Sequence, residues 1–153
     1  MLTRCTAYVL DEQRDRIREL KLQKTRKPLP QVLIVIDDFA DNGMLHNSTG
    51  ALTSLFIRGR HFGCNTWLSS QKLTAIALVC RVNIQFMCVW RMRNQKEIEA
   101  VMEELSALAD RQTLHRMYNM AIEDEDYSFW YVLLTAKKDE MFNIRFDKLM
   151  TIR

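Results

Sequence analysis

The sequence has 153 residues, of which 48% are hydrophobic and 27% are charged. These are ordinary values for a globular protein, so the composition excludes bulk disorder and predicts a single domain over residues 1–153. The net charge of +3 is too small to indicate a nucleic-acid partner by itself. The chain does not open on an apolar signal segment and has no apolar run of the ~18 residues that a membrane helix needs, so we expect a soluble, intracellular protein with no membrane partner.

The cysteines and histidines have neither the spacing of a zinc site nor that of a disulfide framework. No two cysteines form a Cys-x-x-Cys pair, and the histidines are scattered. We therefore expect free thiols in a reducing compartment and no zinc. The residues concerned are Cys5, Cys64, Cys80, Cys88, His46, His61 and His115.

The chain begins with a charged helical pattern followed by an apolar strand. Residues 10–24 predict an amphipathic helix, which Pro28 and Pro30 end. The basic stretch 14–27 fits the solvated face of that helix. Residues 32–36 form a continuous apolar run rich in β-branched side chains, which is typical of a strand buried on both faces.

The middle of the chain continues this alternation of helices and strands. A helix over residues 50–62 ends at Gly63, and the next strand covers residues 64–70. A further helix over residues 75–81 precedes a third strand over residues 84–90. This order predicts an α/β fold with a mainly parallel sheet flanked by helices.

The last third of the chain changes character. Residues 96–108 and 110–121 predict two helices, and residues 127–134 and 142–146 predict two strands joined as a C-terminal hairpin. The acidic run 123–126 fits a solvated loop. The tryptophans at 67, 90 and 130 all fall within predicted strands, which favours core positions over a base-stacking role.

Two aspartates follow the first strand directly. The carboxyl ends of parallel strands are where α/β folds bind ligands, so Asp37 and Asp38 are placed where chemistry is expected. One carboxylate in such a position can hold hydrated Mg²⁺, and a second can orient or deprotonate a water molecule. A strand that ends in an Asp-rich turn without any site remains an equally good interpretation of this motif alone.

The next strand also ends in polar residues. Gly63 stops the preceding helix, the strand follows, and Ser70 and Gln71 end it. A glutamine amide both donates and accepts hydrogen bonds, so Gln71 suits a residue that senses a phosphate or positions water. Arg58 and Arg60 lie just before Gly63, and their alternative role is to complement the dipole of a solvated helix end.

Together these motifs resemble the FtsK/HerA branch of P-loop motor ATPases, and they are most similar to the genome-packaging ATPases of poxviruses and other large DNA viruses. The resemblance covers roughly residues 10–146. The motifs that carry it are Ile36-Asp37-Asp38, Arg58-Gly59-Arg60-His61 and Ser70-Gln71. It implies a partial RecA-like P-loop NTPase core, with a Walker B strand over residues 32–37 and a sensor strand over residues 64–70.

The resemblance also implies roles for individual residues. Asp37 would coordinate Mg²⁺ through water, Asp38 would polarise the attacking water and Gln71 would be the sensor. Arg60 resembles the arginine finger, which in this family acts on ATP held by the adjacent subunit, and Arg58 is the competing candidate. The implied cofactors are ATP and Mg²⁺. The implied partners are double-stranded DNA and a homo-oligomeric ring, in a viral factory or virion.

The phosphate-binding loop of such ATPases is missing from this sequence. It contains no Gly-x-x-x-x-Gly-Lys-Ser/Thr, and none of its four glycines precedes a lysine. The strand that feeds the loop normally lies between the sensor strand and the next one, so we expect a gap in the sheet or a different closure. We expect a fragment of a longer ATPase; a degenerate relative and a split gene whose partner chain supplies the loop are the alternatives.

Three functions therefore compete. The first is a segment of an ATP-driven DNA translocation or packaging motor that supplies Walker B, the sensor glutamine and the arginine finger. The second is a non-hydrolysing, degenerate module that joins a motor ring. The third is a generic α/β domain in which Asp37 and Asp38 are possible Mg²⁺ ligands.

Overall fold

The structure is a computed structural model that describes residues 2–22, 30–37 and 50–151. These residues fall into two compact units, Met1–Asn83 and Ile84–Arg153, which are described separately below. The helices are α1 (Leu2–Leu22), α2 (Ala51–Arg58), α3 (Leu78–Arg81), α4 (Gln95–Glu104) and α5 (Arg111–Glu123). The strands are β1 (Val32–Ile36), β2 (Cys64–Leu68), β3 (Phe86–Val89), β4 (Trp130–Leu133), β5 (Phe142–Ile144) and β6 (Lys148–Leu149).

A parallel pair of strands forms the centre of the first unit. β1 pairs with β2 in parallel, with Val32 opposite Cys64 and Ile36 opposite Leu68. One face of the pair is apolar and covered, because side chains from β1 and β2 pack there with side chains from α1 and α2. Its two core clusters contain Leu10, Leu55 and Cys64, and Ile36 and Leu52. The predicted parallel arrangement is confirmed for this pair.

Helix α1 begins at Leu2 rather than at residue 10. Its exposed side carries ion pairs one helical turn apart, in which Arg14, Arg16 and Arg18 bind Asp11, Glu12 and Asp15. Such pairs neutralise much of the local positive charge. The solvated-face interpretation is confirmed for this part of the basic stretch, and residues 23–29 lie outside the described residues.

The second unit is built on an antiparallel sheet with the strand order β3-β4-β5-β6. β4 and β5 form the predicted C-terminal hairpin, with Trp130 opposite Ile144. β3 pairs antiparallel with β4, so strand 84–90 lies in a different sheet from β2. Among the described residues the parallel arrangement is thus confined to β1 and β2.

One face of this second sheet packs against α5. The rings of Trp130 and Phe142 stack with their centroids 5.6 Å apart, and both side chains are fully buried. Tyr118 of α5 ties the segment after β3 to this core, because its hydroxyl accepts a hydrogen bond from the Met92 amide at 2.8 Å and donates one to the Trp90 carbonyl at 3.3 Å. The stacked rings in the sheet and the hydrogen bonds of Tyr118 thus hold together the sheet, α5 and the segment after β3.

The acidic run after α5 is ion-paired rather than simply solvated. Lys148 of β6 contacts Asp124 at 2.7 Å, and the Arg145 guanidinium contacts Glu125 at 2.5 Å. The hydrogen bonds that Arg145 donates to the Glu125 carboxylate raise the pKa of Arg145 above its usual range. The loop therefore fastens β6 to the end of α5, which the charge run alone could not reveal.

In the parts of the chain that the structure describes, no helix is long and apolar enough to cross a membrane.

Candidate functional site

The carboxyl ends of β1 and β2 lie side by side. Ile36 is opposite Leu68, and the Ser69 amide donates a hydrogen bond of 2.8 Å to the Ile36 carbonyl, which extends the ladder past the end of β2. Asp37 follows Ile36 directly and is exposed. The pairing therefore brings the first aspartate and the segment that leads to Gln71 to one edge of the sheet. Asp38 lies outside the described residues.

The burial pattern of β1 explains why the chain turns polar at this point. Ile36 is almost completely buried, whereas the next residue, Asp37, is exposed. The strand thus leaves the core between these two residues, so that the carboxylate reaches solvent without a desolvation cost. In the described residues no group of three or more His, Cys, Asp or Glu side chains is arranged to hold a metal ion.

A short side-chain hydrogen-bond motif shapes the turn that carries Gln71. The Ser70 hydroxyl donates to the Lys72 carbonyl at 3.0 Å and accepts from the Lys72 amide at 3.3 Å. These two bonds close the chain around Gln71, whose side chain is exposed. Serine favours such local side-chain-to-backbone bonds, so the Ser-Gln sequence itself directs the turn.

The two candidate arginines lie at the other end of β2. Arg58 ends α2, Arg60 lies in the 3-10 helix Gly59–Phe62, and this helix leads through Gly63 into the first residue of β2. Both arginine side chains are exposed, and within the described residues neither guanidinium forms an ion pair. Because five strand residues span about 13 Å, the arginines and Asp37 lie at opposite edges of the same sheet.

Gly63 ends the arginine-bearing turn and leads it into β2. Gly63 adopts left-handed angles, with φ 65° and ψ 24°, and its amide bonds back to the Arg60 carbonyl. Phe62 packs against the core cluster of Leu10, Leu55 and Cys64, and the Arg14 guanidinium of α1 lies 5.1 Å from the centre of its ring. The glycine stop that the sequence predicted after residue 62 is therefore confirmed.

The chain matches the family model described as "Poxvirus A32 protein" over residues 3–142, which is nearly its whole length. This chain belongs to the Poxvirus A32 protein family. The family expected from the aspartates, the arginine turn and the Ser-Gln tip is thus confirmed. No curated protein matches the chain.

A solved structure supports the fold of this A32-family chain. The chain is similar to the genome packaging NTPase B204 from Sulfolobus turreted icosahedral virus 2, solved in complex with ATP-gammaS, with a TM-score of 0.54 and 13% identity. The match covers 82% of this chain and 54% of that one, so the chain spans about half the length of the neighbour. This likeness confirms the predicted mixed α/β fold with a parallel pair of strands flanked by helices.

The A32-family chain has only part of what a site for Mg²⁺ and a nucleotide requires. Mg²⁺ in proteins is held by one or two carboxylates together with waters and substrate phosphates, and an exposed Asp37 at a strand end suits one such ligand. A phosphate cradle requires a glycine-rich loop followed by a lysine, and this sequence contains none. The chain therefore has an exposed carboxylate at the strand end, but its sequence lacks the glycine-rich loop that would hold a nucleotide's phosphates.

The exposure of one face of the β1–β2 sheet was not predicted from the sequence. β1 was predicted to be buried on both faces, but Leu33 is 49% exposed and Val35 is 63% exposed, because α1 and α2 cover only the other face. Trp67 is opposite Val35 and is 53% exposed. The prediction that the tryptophans are core residues holds for Trp130 and is wrong for Trp67 and Trp90, which are both more than half exposed.

Proposed function

We propose that this chain supplies hydrolysis residues to an ATP-driven motor that translocates or packages double-stranded viral DNA. The observation that supports this best is the parallel pairing of β1 and β2, because it places Asp37 and the Gln71 turn at one sheet edge. Membership of the A32 family and the fold of a viral genome packaging NTPase point to the same class of activity.

The three residues at the carboxyl edge would have complementary tasks. Asp37 would hold the hydrated Mg²⁺ ion through a water molecule, and Asp38 would orient and polarise the attacking water. Gln71 would sense the terminal phosphate, since its amide can donate to an oxygen and accept from a water. The nucleotide with its metal ion supplies the phosphoryl group, and the chain supplies these polar groups around it.

The arginines would act on a neighbouring copy. An Arg side chain cannot reach from the amino edge of β2 to the carboxyl edge of its own sheet, about 13 Å away. Arg60, or Arg58 as the competing candidate, would instead stabilise charge on a phosphoryl group held by the adjacent subunit. This arrangement requires a homo-oligomeric ring.

The phosphate cradle would come from polypeptide outside this sequence. The chain spans about half of the packaging NTPase that it resembles, and its glycines do not form a phosphate loop. A longer form of the same protein or a separate partner chain would both meet this need. In either case the nucleotide is bound only when the loop and this chain come together.

A second candidate function follows from the same missing loop. A degenerate A32-family chain could join a motor ring as an interaction module that does not hydrolyse ATP. The exposed arginines would then still act on a neighbour, whereas Asp37, Asp38 and Gln71 would have no substrate. The two functions differ in whether substitution of Asp38 changes the turnover of the assembled motor.

Nucleotide binding tests whether the phosphate loop must come from polypeptide outside this sequence. We expect no binding of a fluorescent ATP analogue with Mg²⁺ to the chain alone. In the presence of the phosphate-loop segment of a full-length family member, we expect Mg²⁺-dependent binding that is weakened by Asp37→Ala. Micromolar binding to the chain alone that is lost in Asp37→Ala would overturn the proposal, because the chain would then contain its own phosphate site.

A further inference from the structure

The turn that carries Arg60 is attached to the core at both of its ends. Gly59 begins the 3-10 helix and is buried, and Phe62 ends it and packs against the core cluster that contains Leu10 of α1. Arg60 lies between these two residues with its side chain exposed, whereas Arg58 precedes the first of them. The backbone of Arg60 is therefore fixed from both sides.

Arg14 of α1 contacts the second of these attachment points. Its guanidinium lies 5.1 Å from the centre of the Phe62 ring, which is within the ~6 Å reach of a cation–π interaction. The same guanidinium is ion-paired with Asp11 at 3.1 Å. Phe62 thus contacts core residues as well as a cation, and that cation belongs to a different helix.

Helix α1 presents Arg14 from a fixed backbone. Leu10, one turn before Arg14, is buried in a core cluster with Cys64 of β2. The neighbouring Gln13 is almost completely buried, and its side-chain amide donates a hydrogen bond of 3.1 Å to the Pro30 carbonyl. The helix cannot shift over the sheet without breaking these contacts, so the position of the guanidinium over the ring is well defined.

We propose that Arg14 is a positioning residue for Arg60. This inference rests on the proposed function, in which Arg60 acts on a phosphoryl group that the adjacent subunit holds. Arg14 acts through Phe62, which fixes the end of the turn, and a displacement of about 1 Å in a group that acts on the transition state can cost about 10²-fold in rate. The same geometry favours Arg60 over Arg58 as the finger, because only Arg60 lies between Gly59 and Phe62.

Amide hydrogen exchange in the intact chain measures the order of this turn. The Gly63 amide donates to the Arg60 carbonyl, so it exchanges when the turn opens. The Ser69 amide donates to the Ile36 carbonyl at 2.8 Å, beyond the other end of β2, and reports on wider opening of the first unit. Both amides are followed by NMR in the wild type and in each variant.

The chain offers a matched control for Arg14. The side chains of Arg14 and Arg16 are 43% and 44% exposed, and each is ion-paired with an acidic residue of the same helix. Residues two apart on a helix point to nearly opposite sides, so Arg16 leaves α1 on the side away from Phe62. The variants are Arg14→Gln, Arg14→Lys and Arg16→Gln, and circular dichroism checks the fold of each.

We expect Arg14→Gln to speed exchange at Gly63 about two- to fivefold, the factor that an exposed cation–π contact contributes, and to leave exchange at Ser69 unchanged. Arg14→Lys keeps a cation over the ring and should exchange near the wild-type rate, as should Arg16→Gln. Equal acceleration at Gly63 and Ser69 would overturn the inference, because Arg14 would then stabilise the unit as a whole. An unchanged rate at Gly63 would overturn it as well.

ATP hydrolysis with the phosphate-loop segment of a full-length family member connects the ordered turn to Arg60. We expect Arg14→Gln to lower kcat about tenfold at an unchanged KM for ATP, because a finger acts on the transition state, and Arg14→Lys to restore most of the rate. In an Arg60→Ala background, Arg14→Gln should have no further effect on kcat, since its target is already absent. A further tenfold loss in that background would contradict the positioning role.

The same assay separates this inference from the proposed function. If the wild-type mixture hydrolyses ATP and Arg14→Gln does so equally well, the positioning role is wrong and the function stands. If the wild-type mixture never hydrolyses ATP, the proposed function is wrong, and the role of Arg14 fails with it.

Discussion

Gly59 lies directly against the backbone of Cys64. A Cβ atom at position 59 would be 2.8 Å from the Cys64 carbonyl oxygen, closer than real side chains approach. The backbone of Gly59 is helical, with φ −50° and ψ −42°, so glycine is needed here for space rather than for unusual angles. This close approach lets the turn with Arg58 and Arg60 fold tightly onto the start of β2.

Gly59→Ala should therefore destabilise the first unit. The added methyl group meets backbone, which cannot move aside as a flexible side chain would, and we expect a loss of about 1–3 kcal/mol in the free energy of unfolding. Urea denaturation of the purified chain measures this loss. Alanine is otherwise preferred over glycine in helices, so an increase in stability would contradict the proposed contact.

Asp110 caps α5 and should make the second unit acid-sensitive. Its carboxylate accepts a hydrogen bond from the Thr113 amide at 2.9 Å, and the hydrogen bonds from Thr113 lower the pKa of Asp110. Because the pKa of Asp110 is lower in the folded protein, this stabilisation is fully present above the pKa of an aspartate in the unfolded chain, about 4. It is lost as the pH falls through the pKa of Asp110 in the folded protein.

Thermal melting at several pH values tests this cap. Asp110→Ala should lower Tm at pH 7 and have less effect at pH 3. Asp110→Asn keeps a capping oxygen without a titratable group, so it should melt near the wild type at pH 7. If Asp110→Ala lowers Tm equally at both pH values, the charge of Asp110 is not what makes the second unit acid-sensitive.

The three cysteines with described side chains should react slowly in the folded protein. Burial raises the pKa of the Cys64, Cys80 and Cys88 thiols, and the thiolate is the reactive form. In a Cys5→Ser background, iodoacetamide at pH 7.5 should label these thiols about tenfold more slowly, or slower still, than in urea. Labelling of native protein at the rate of a small free thiol would show that they are accessible.

Some of this fold is encoded locally, and that part could be predicted from the sequence. The apolar run of β1 and the glycine stop before β2 predicted the parallel pair, and the Ser-Gln tip of β2 predicted its polar end. By contrast, the exposure of Val35 depends on which layers cover the sheet, and this information is absent from a strand's own residues. The ion pairs of Glu125 and Lys148 join residues far apart in sequence, so a local charge pattern could not predict them.

Subunit mixing should identify the arginine that acts on a neighbour. In the assembled motor, loss of an arginine finger should slow ATP hydrolysis by about 10³–10⁵. If Arg60 has this role, Arg60→Ala subunits and Asp38→Asn subunits are each inactive alone. Mixed together they should recover part of the activity, because some interfaces then combine an intact arginine with an intact aspartate.

Matched variants make this mixing experiment decisive between the two arginines. Arg58→Ala should behave in the same way only if Arg58, rather than Arg60, is the finger. Arg116→Ala, which changes an exposed arginine of α5 in the second unit, serves as the control and should retain activity. Full activity of both Arg58→Ala and Arg60→Ala, or no recovery on mixing, would contradict a role in the neighbouring site.

ATP hydrolysis by this chain together with the phosphate-loop segment of a full-length family member tests the proposed function most directly. We expect hydrolysis that requires both polypeptides and falls by about 10²–10⁴ in Asp38→Asn, while the fluorescent ATP analogue still binds, because the substitution removes the group that activates water. Turnover that is unchanged by Asp38→Asn, or that proceeds without this chain, would contradict the assignment of the hydrolysis residues to it.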